Sequence, residues 1–295
     1  MTSTPASIKI VEVGPRDGLQ NIEQTISTDD KITYIDLLTD AGFQEIEVTS
    51  FVSPKWIPQL ADSKEVSDQI NKNDSTVYTA LVPNLRGLEN ALNAQYSSVA
   101  IFTTASEAFS KKNINCTIDE SIHRFNEMVN LWEENSLRVR GYISTVWHCP
   151  YEGPIKSENV IDVIAKLFDL GIQEISLGDT IGKATDDEVR YFLEKILNRW
   201  DPTFFALHMH DTFGFAENNI KAALEFEIAT FDSSTGGIGG CPYAQGASGN
   251  IGSESIISLC DSLGIKTGID QPKLEEAKNF IQTIVNKESV PHGED

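Results

Sequence analysis

The sequence predicts an α/β protein built as a (β/α)8 TIM barrel with short additional C-terminal helices, and three observations predict it. The chain has 295 residues, close to the length such barrels take. β-rich segments recur along it, each followed by a stretch with helical periodicity, so strands alternate with helices instead of pairing as hairpins. The unusual polar clusters fall at or just after strand ends, where a barrel carries its functional groups.

Taken in order, strands are expected at IKIVEV (8–13), EIEVTS (45–50), TVYTALV (76–82) and SSVAIFT (97–103). The second half supplies RVRGYISTV (138–146), EISLG (174–178), FFALHMH (204–210) and IATFDSS (228–234). Helix grammar fills the gaps. Ser27, Thr28 and Asp29 precede KITYIDLLTDAG as an N-cap group with Gly42 as the stop, and SENVIDVIAKLFDLG repeats the pattern up to Gly171. SESIISLCDSLG and QPKLEEAKNFIQTIVNK then read as two closing helices. The expectation is one catalytic barrel over residues 1–295, with a C-terminal helix and tail over about 265–295 and no Pro/Ser-rich linker.

Composition narrows the function. Hydrophobic residues make up 40% and charged residues 23%, enough apolar material for a large core. A formal charge of -21 repels a phosphodiester backbone or an anionic bilayer, so neither nucleic acid nor a membrane surface is an expected partner. The opening MTSTPASIKIVEV reads as neither a secretion nor an anchoring segment, and no run of about 18 apolar residues occurs, which gives a cytoplasmic expectation. Cys116, Cys149, Cys241 and Cys260 lack the paired spacing of a structural zinc site. GxGxxG in a strand-to-helix context, GxxxxGK[ST] and GxSxG are absent as well.

The candidate chemistry lies at the strand ends. His208 and His210 in LHMHDT are two apart on a strand, so both project to one face and can offer imidazole nitrogen to one ion. Asp17 of VGPRDGLQ can add a carboxylate oxygen and Asn250 an amide oxygen. This mixed set suits Mg²⁺ or Mn²⁺, with Zn²⁺ or Co²⁺ as further options. Each residue also has a plain structural reading: hydrogen-bonded histidines at a strand end, an Arg16–Asp17 ion pair, and Glu47 as a satisfied buried carboxylate orienting Arg16. The glycine-rich segment GGIGGCPYAQGASGN (236–250) suits a mobile loop able to bring the Cys241 thiol to a substrate, though a cysteine in such a turn is more often inert. In SLGDTIG, Ser176, Asp179 and Thr180 can bind a polar substrate, while a helix N-cap explains Asp179 or Thr180 equally well. His148 beside Cys149 is assigned to packing or pocket lining, and His123 to a helix surface.

These residues lie in blocks that resemble one family. VEVGPRDGLQN, IEVTSFVSPKWIPQLAD, TTASEAFSKKNINCTIDES, SLGDTIG, HMHDTFG and GGIGGCPYAQGASGN together resemble the 3-hydroxy-3-methylglutaryl-CoA lyases. The resemblance implies that Asp17, His208, His210 and Asn250 bind a divalent metal, that Arg16 meets the thioester oxygen with Glu47 in support, and that Cys241 is the catalytic loop thiol. His208 or Asp17 would be the base. It further implies substrate roles for Gln20, Asn113, Asp179 and Thr180, a CoA-thioester substrate cleaved to acetyl-CoA and acetoacetate, and a homodimer. Trp147 and His148 in VWHCPYEG, and KATDD (183–187), depart from the family pattern and bear on acyl-group preference. The alternatives are a lyase for another 3-hydroxy-3-substituted glutaryl-CoA, and a non-catalytic barrel that binds a CoA ester or metal.

Overall fold

A computed structural model describes residues 4–239 and 249–286. Eight parallel strands close into a barrel: β1 (Lys9–Glu12), β2 (Glu45–Ser50), β3 (Val77–Leu81), β4 (Ser98–Thr104), β5 (Arg138–Ser144), β6 (Glu174–Asp179), β7 (Phe205–Met209) and β8 (Thr230–Ser233). Closure comes from β1 on β8, with Lys9 opposite Thr230 and Glu12 opposite Ser233. Every expected strand is present, most of them one or two residues shorter at an end. Missing from the sequence reading is a small antiparallel hairpin, His148–Cys149 against Gly153–Pro154, between β5 and β6; arms of two residues leave no periodicity to read.

Local chemistry explains the helices. Ser27 caps Thr28–Asp40 by accepting from the Asp30 amide, and Gly42 follows at φ 91°, a left-handed conformation that side-chain-bearing residues resist. Two expectations need correction. Ser157 lies inside Ser157–Asp169, whose N-cap position is Lys156 with no side-chain cap bond. Asp179 and Thr180 do not cap the next helix, Asp186–Leu197; Thr185 does, in a capping box with Glu188. The long interval between β4 and β5 holds three short helices, Glu107–Asn113, Ile118–Asn126 and Val129–Glu134.

Alternation along the strands sorts the barrel into two chemistries. Outward-facing Ile10, Ile46, Ile101, Ile175, Leu207 and Phe231 belong to the continuous apolar core between sheet and helices, and each such side chain contributes about 1.5–3 kcal/mol on burial. The inward positions one residue away are largely charged. Lys9 Nζ lies 3.0 Å from both Glu45 and Glu174, Arg138 bridges the same two acids, and Arg140 pairs with Glu174 and Asp232, each at 2.6 Å. Apolar filling inside includes a small cluster of Leu81, Ala100, Tyr142 and Phe102. Barrel interiors are usually layered with branched aliphatics; this one is an ion-paired column leading up to the carboxyl ends of the strands.

Candidate metal centre

The turn after β1 is unusually tight. The amides of Arg16, Asp17 and Gly18 all point at the Val13 carbonyl, at 3.2, 2.7 and 3.2 Å, which swings consecutive side chains of Arg16 and Asp17 over the barrel mouth. On the far side, His208 is the penultimate residue of β7 and His210 directly follows the strand, ring centroids 5.3 Å apart. Asp17, His208 and His210 each offer a ligand atom, all within 4.8 Å of one another. Asp17 Oδ2 is 3.8 Å from His208 Nε2 and accepts from Asn250 Nδ2 at 2.9 Å. Asn250 is itself held by bridge pairing with His210. Asp17 remains about a quarter exposed, 23% by side chain, so the cluster is open to a ligand.

The donor set fits a divalent cation. His210 Nδ1 is buried and has no hydrogen-bond partner among the described residues, an expense that a metal bond would remove. Burial and the neighbouring His208 push the His210 pKa down to about 4, so its lone pair is free at neutral pH. Burial works to raise the Asp17 carboxyl, but Arg16 and His208 overcome it and bring it to about 2, leaving an anion. One carboxylate and two imidazoles, with an amide alongside, suit Mg²⁺, Mn²⁺, Zn²⁺ or Co²⁺ and do not select among them.

Residues beneath the cluster orient it. Asp232, fully inside the barrel, lies 3.2 Å from His208 Nδ1 and so holds the Nδ1–H tautomer, which turns the Nε2 lone pair toward Asp17. Asp232 is fixed in turn by Arg140 and by the Ser176 hydroxyl, which donates at 2.7 Å. Arg16 Nε donates to Glu47, Arg16 Nη1 to Asp17, and the Tyr142 hydroxyl donates to the second Glu47 oxygen. Desolvation disfavours the Arg16 charge, yet Glu47 and Asp17 hold it far above any titration range. A fixed cation therefore borders the ligand cluster, suited to an oxygen that gains negative charge.

This geometry stands in a chain whose relatives are known. The HMGL-like family model matches residues 7–281. The chain belongs to the HMGL-like family. The mitochondrial hydroxymethylglutaryl-CoA lyase of Macaca fascicularis is 47% identical over 289 residues, 98% of this chain and 89% of that protein. The cytoplasmic 3-hydroxy-3-methylglutaryl-CoA lyase of Rattus norvegicus is 46% identical, covering 97% of this chain and 84% of that one. Among solved structures, the hydroxymethylglutaryl-CoA lyase of Pseudomonas aeruginosa superposes with a TM-score of 0.94 at 46% identity over 97% and 95% of the two chains. An HMG-CoA lyase from Acinetobacter baumannii, in complex with coenzyme A and 3-methylmalate, gives 0.91 at 33% identity over the full length of both.

Within this HMGL-like barrel the other expected site residues are distributed unevenly. Asp179 is buried at the end of β6 and accepts from the Lys183 and Ala184 amides; burial pushes its pKa up to about 6. Thr180 accepts from the Thr145 amide. Gln20 is half-buried just past the Arg16–Asp17 turn, and Asn113 lines a small void with Phe102, Phe109 and Ile114. Neither has a hydrogen bond to the cluster among the described residues. Cys241 and most of the 236–250 segment lie outside the described residues, as does the tail from 287. The remaining cysteines, Cys116, Cys149 and Cys260, are free and buried. His148 packs at the rim, its Nε2 3.0 Å from Glu188, while Trp147 is buried edge-on against Phe192. The departures at 147–148 and 183–187 therefore meet at the start of one helix. His123 is exposed on a helix, as expected.

Sequence reasoning missed Arg140, Tyr142 and Asp232. The available signal was period-two alternation in RVRGY and TFDS, which places charge on the same strand face as the expected ligands.

Proposed function

We propose that this chain is a divalent-metal-dependent 3-hydroxy-3-methylglutaryl-CoA lyase, cleaving its substrate to acetyl-CoA and acetoacetate. The observation that carries the reading is the grouping of Asp17, His208 and His210 beside Arg16 at the barrel mouth. Relatives 45–48% identical and named for this activity support it, as does the family member solved with coenzyme A.

Asp17, His208, His210 and Asn250 would hold the cation, which when bound supplies Lewis-acid polarisation of a hydroxyl oxygen. The protein's own groups do the rest. Asp17, whose carboxylate keeps a second oxygen beside the one that meets the ion, accepts the hydroxyl proton of the substrate, while His208, whose single open nitrogen Nε2 is committed to the ion, serves as a ligand held in place by Asp232. The O–H electron pair becomes the ketone π bond as the carbon–carbon bond breaks, and that bond's pair passes to the thioester fragment as an enolate. Arg16, braced by Glu47, meets the enolate oxygen. Cys241 returns a proton to the enolate carbon. Gln20, Asn113, Asp179 and Thr180 contact substrate in this reading, and Ser176 serves the site through Asp232.

The protein acts as one catalytic barrel and a homodimer, with Mg²⁺ or Mn²⁺ as the ion and the cytoplasm as its compartment; no described helix is long and apolar enough to cross a membrane. The test is purified protein with 3-hydroxy-3-methylglutaryl-CoA before and after chelation, with Mg²⁺ or Mn²⁺ then restored. Metal-dependent appearance of acetoacetate and acetyl-CoA is expected, and their absence with every ion tried overturns the proposal.

A further inference from the structure

Away from the ligand cluster, one buried carboxylate stands where three separate pieces of the site meet. Glu12 ends β1 and is completely buried. By alternation from the inward Lys9 it points to the outer face of the barrel, where it packs among Thr235, Ser253 and Tyr34. Among the described residues it makes no ion pair. Instead it accepts from the Gly14 amide at 2.9 Å, from the Thr235 amide at 3.0 and 3.1 Å on its two oxygens, from the Thr235 hydroxyl at 2.5 Å and from the Ser253 hydroxyl at 2.7 Å.

Each donor leads to a ligand residue. Gly14 opens the turn that carries Arg16 and Asp17. Thr235 begins the stretch to Ile238, whose carbonyl faces the Asn250 amide at 3.5 Å, and to Gly239, where a Cβ would lie 2.9 Å from Asn250 Nδ2 and 3.0 Å from Gly18 Cα. Ser253 follows Asn250 and starts the helix Ser253–Leu263, with its amide bonded to the Ser234 carbonyl at 3.3 Å. The junction has no slack: a Cβ on Gly14 would sit 2.5 Å from both Glu12 Oε1 and the Tyr34 hydroxyl. A carboxylate without a cation is a costly way to fill buried space. Its use here is that two oxygens gather donors from three chain segments, which no apolar side chain can do.

We infer that Glu12 is a positioning residue for the metal centre: it ties the Gly14–Gly18 turn to the segments on both sides of Asn250 and so fixes Asp17 against Asn250. It touches neither the ion nor the substrate, and the inference rests on the metal reading of the cluster.

The experiment is calorimetric titration of Mn²⁺ into wild type and Glu12→Gln, with kcat and KM measured alongside. Glutamine keeps the size but turns one acceptor into a donor facing the Thr235 and Ser253 groups. Affinity for Mn²⁺ should fall about tenfold, at the lower end of what partners of metal ligands contribute, and kcat should fall while KM for the thioester holds. Ile257→Val, which removes a buried methyl group from the neighbouring helix, is the control and should bind Mn²⁺ as wild type does. Folded Glu12→Gln with wild-type affinity and kcat overturns the inference. Should Glu12→Gln not fold, the double variant Thr235→Val/Ser253→Ala carries the same test, since it removes two donors and leaves the carboxylate; unchanged affinity there is equally fatal. Wild type that binds no Mn²⁺ defeats the metal reading and this inference with it, whereas wild type that binds, with variants that match it, defeats the inference alone.

Discussion

Asp232→Asn is the sharpest perturbation of the site that spares every residue facing a ligand. In the native barrel, Asp232 accepts from Arg140, Ser176 and His208 at 2.6, 2.7 and 3.2 Å. Asparagine has one acceptor oxygen, and turning it toward Arg140 leaves its amide nitrogen facing His208 Nδ1. His208 then takes the Nε2–H form and presents a proton toward Asp17, where an open nitrogen is needed. Metal affinity should drop by about 10–100-fold, as it does when the partner of a ligating histidine is lost. Arg140 is fully buried and keeps only Glu174 as its acid at hydrogen-bonding distance. Breaking one member of a buried pair costs about 3–5 kcal/mol, which corresponds to a fall of roughly 10 °C in Tm for a domain of this size. Ser176→Ala, by contrast, removes one hydrogen bond, costs about 1 kcal/mol and leaves the tautomer alone. Calorimetric metal titration, thermal unfolding and nitrogen NMR of the histidine rings read the three effects. Wild-type metal affinity with an unchanged His208 tautomer in Asp232→Asn would refute the orienting role.

Other outcomes follow from the same geometry. Asp17→Asn should weaken metal binding and lower turnover together, since the anion beside Arg16 and His208 is lost; full affinity by titration would remove Asp17 from the ligand set. Cys241→Ala should cut turnover strongly while metal affinity survives, because the proposed thiol transfers a proton and binds no ion; unchanged turnover refutes that part. Burial lifts the Glu12 pKa from 4.5 to about 7, so the folded state keeps a proton that the unfolded chain releases. Stability from this group is complete below pH 4.5 and lost as pH rises through about 7, and Tyr34, the phenol packed against it, stays protonated throughout. At about 1.4 kcal/mol per pH unit, metal-free Glu12→Gln should gain about 3 kcal/mol on wild type between pH 4.5 and 8, measured by urea unfolding; a constant difference contradicts the buried charge change.

The barrel and the histidine pair of the Asp17–His208–His210 cluster were legible because both depend on local pattern. Strand periodicity located all eight strands, and the HMH spacing across the end of β7 placed two imidazoles on one face. Arg140 and Asp232 were not legible because a charged residue within a strand reads as solvated until the closed sheet shows that its face is interior, and Glu12, on the outer face, reads as solvated until Thr235, Ser253 and Tyr34 are seen to cover it. Ser176, expected as a substrate contact, also donates its hydroxyl to Asp232, a partner that strand periodicity does not reveal. The split of the β4–β5 interval into three helices depends on caps such as Ser106 and Thr117, which short windows do not separate from ordinary turns.

The charged axis of the barrel constrains how this protein can vary. From Lys9 to His208 the charged side chains inside answer to neighbours on other strands, so an isolated exchange strands a partner, and the penalty falls on a residue far away in sequence. A single exchange in the apolar shell alters local packing, whereas one in the axis calls for a concerted replacement of its partner. A designer who swaps Arg140 for an aliphatic residue would have to neutralise Asp232 and Glu174 in the same step, and would release His208 in doing so. The column that props up the mouth should thus tolerate single substitutions less well than the apolar shell around the sheet.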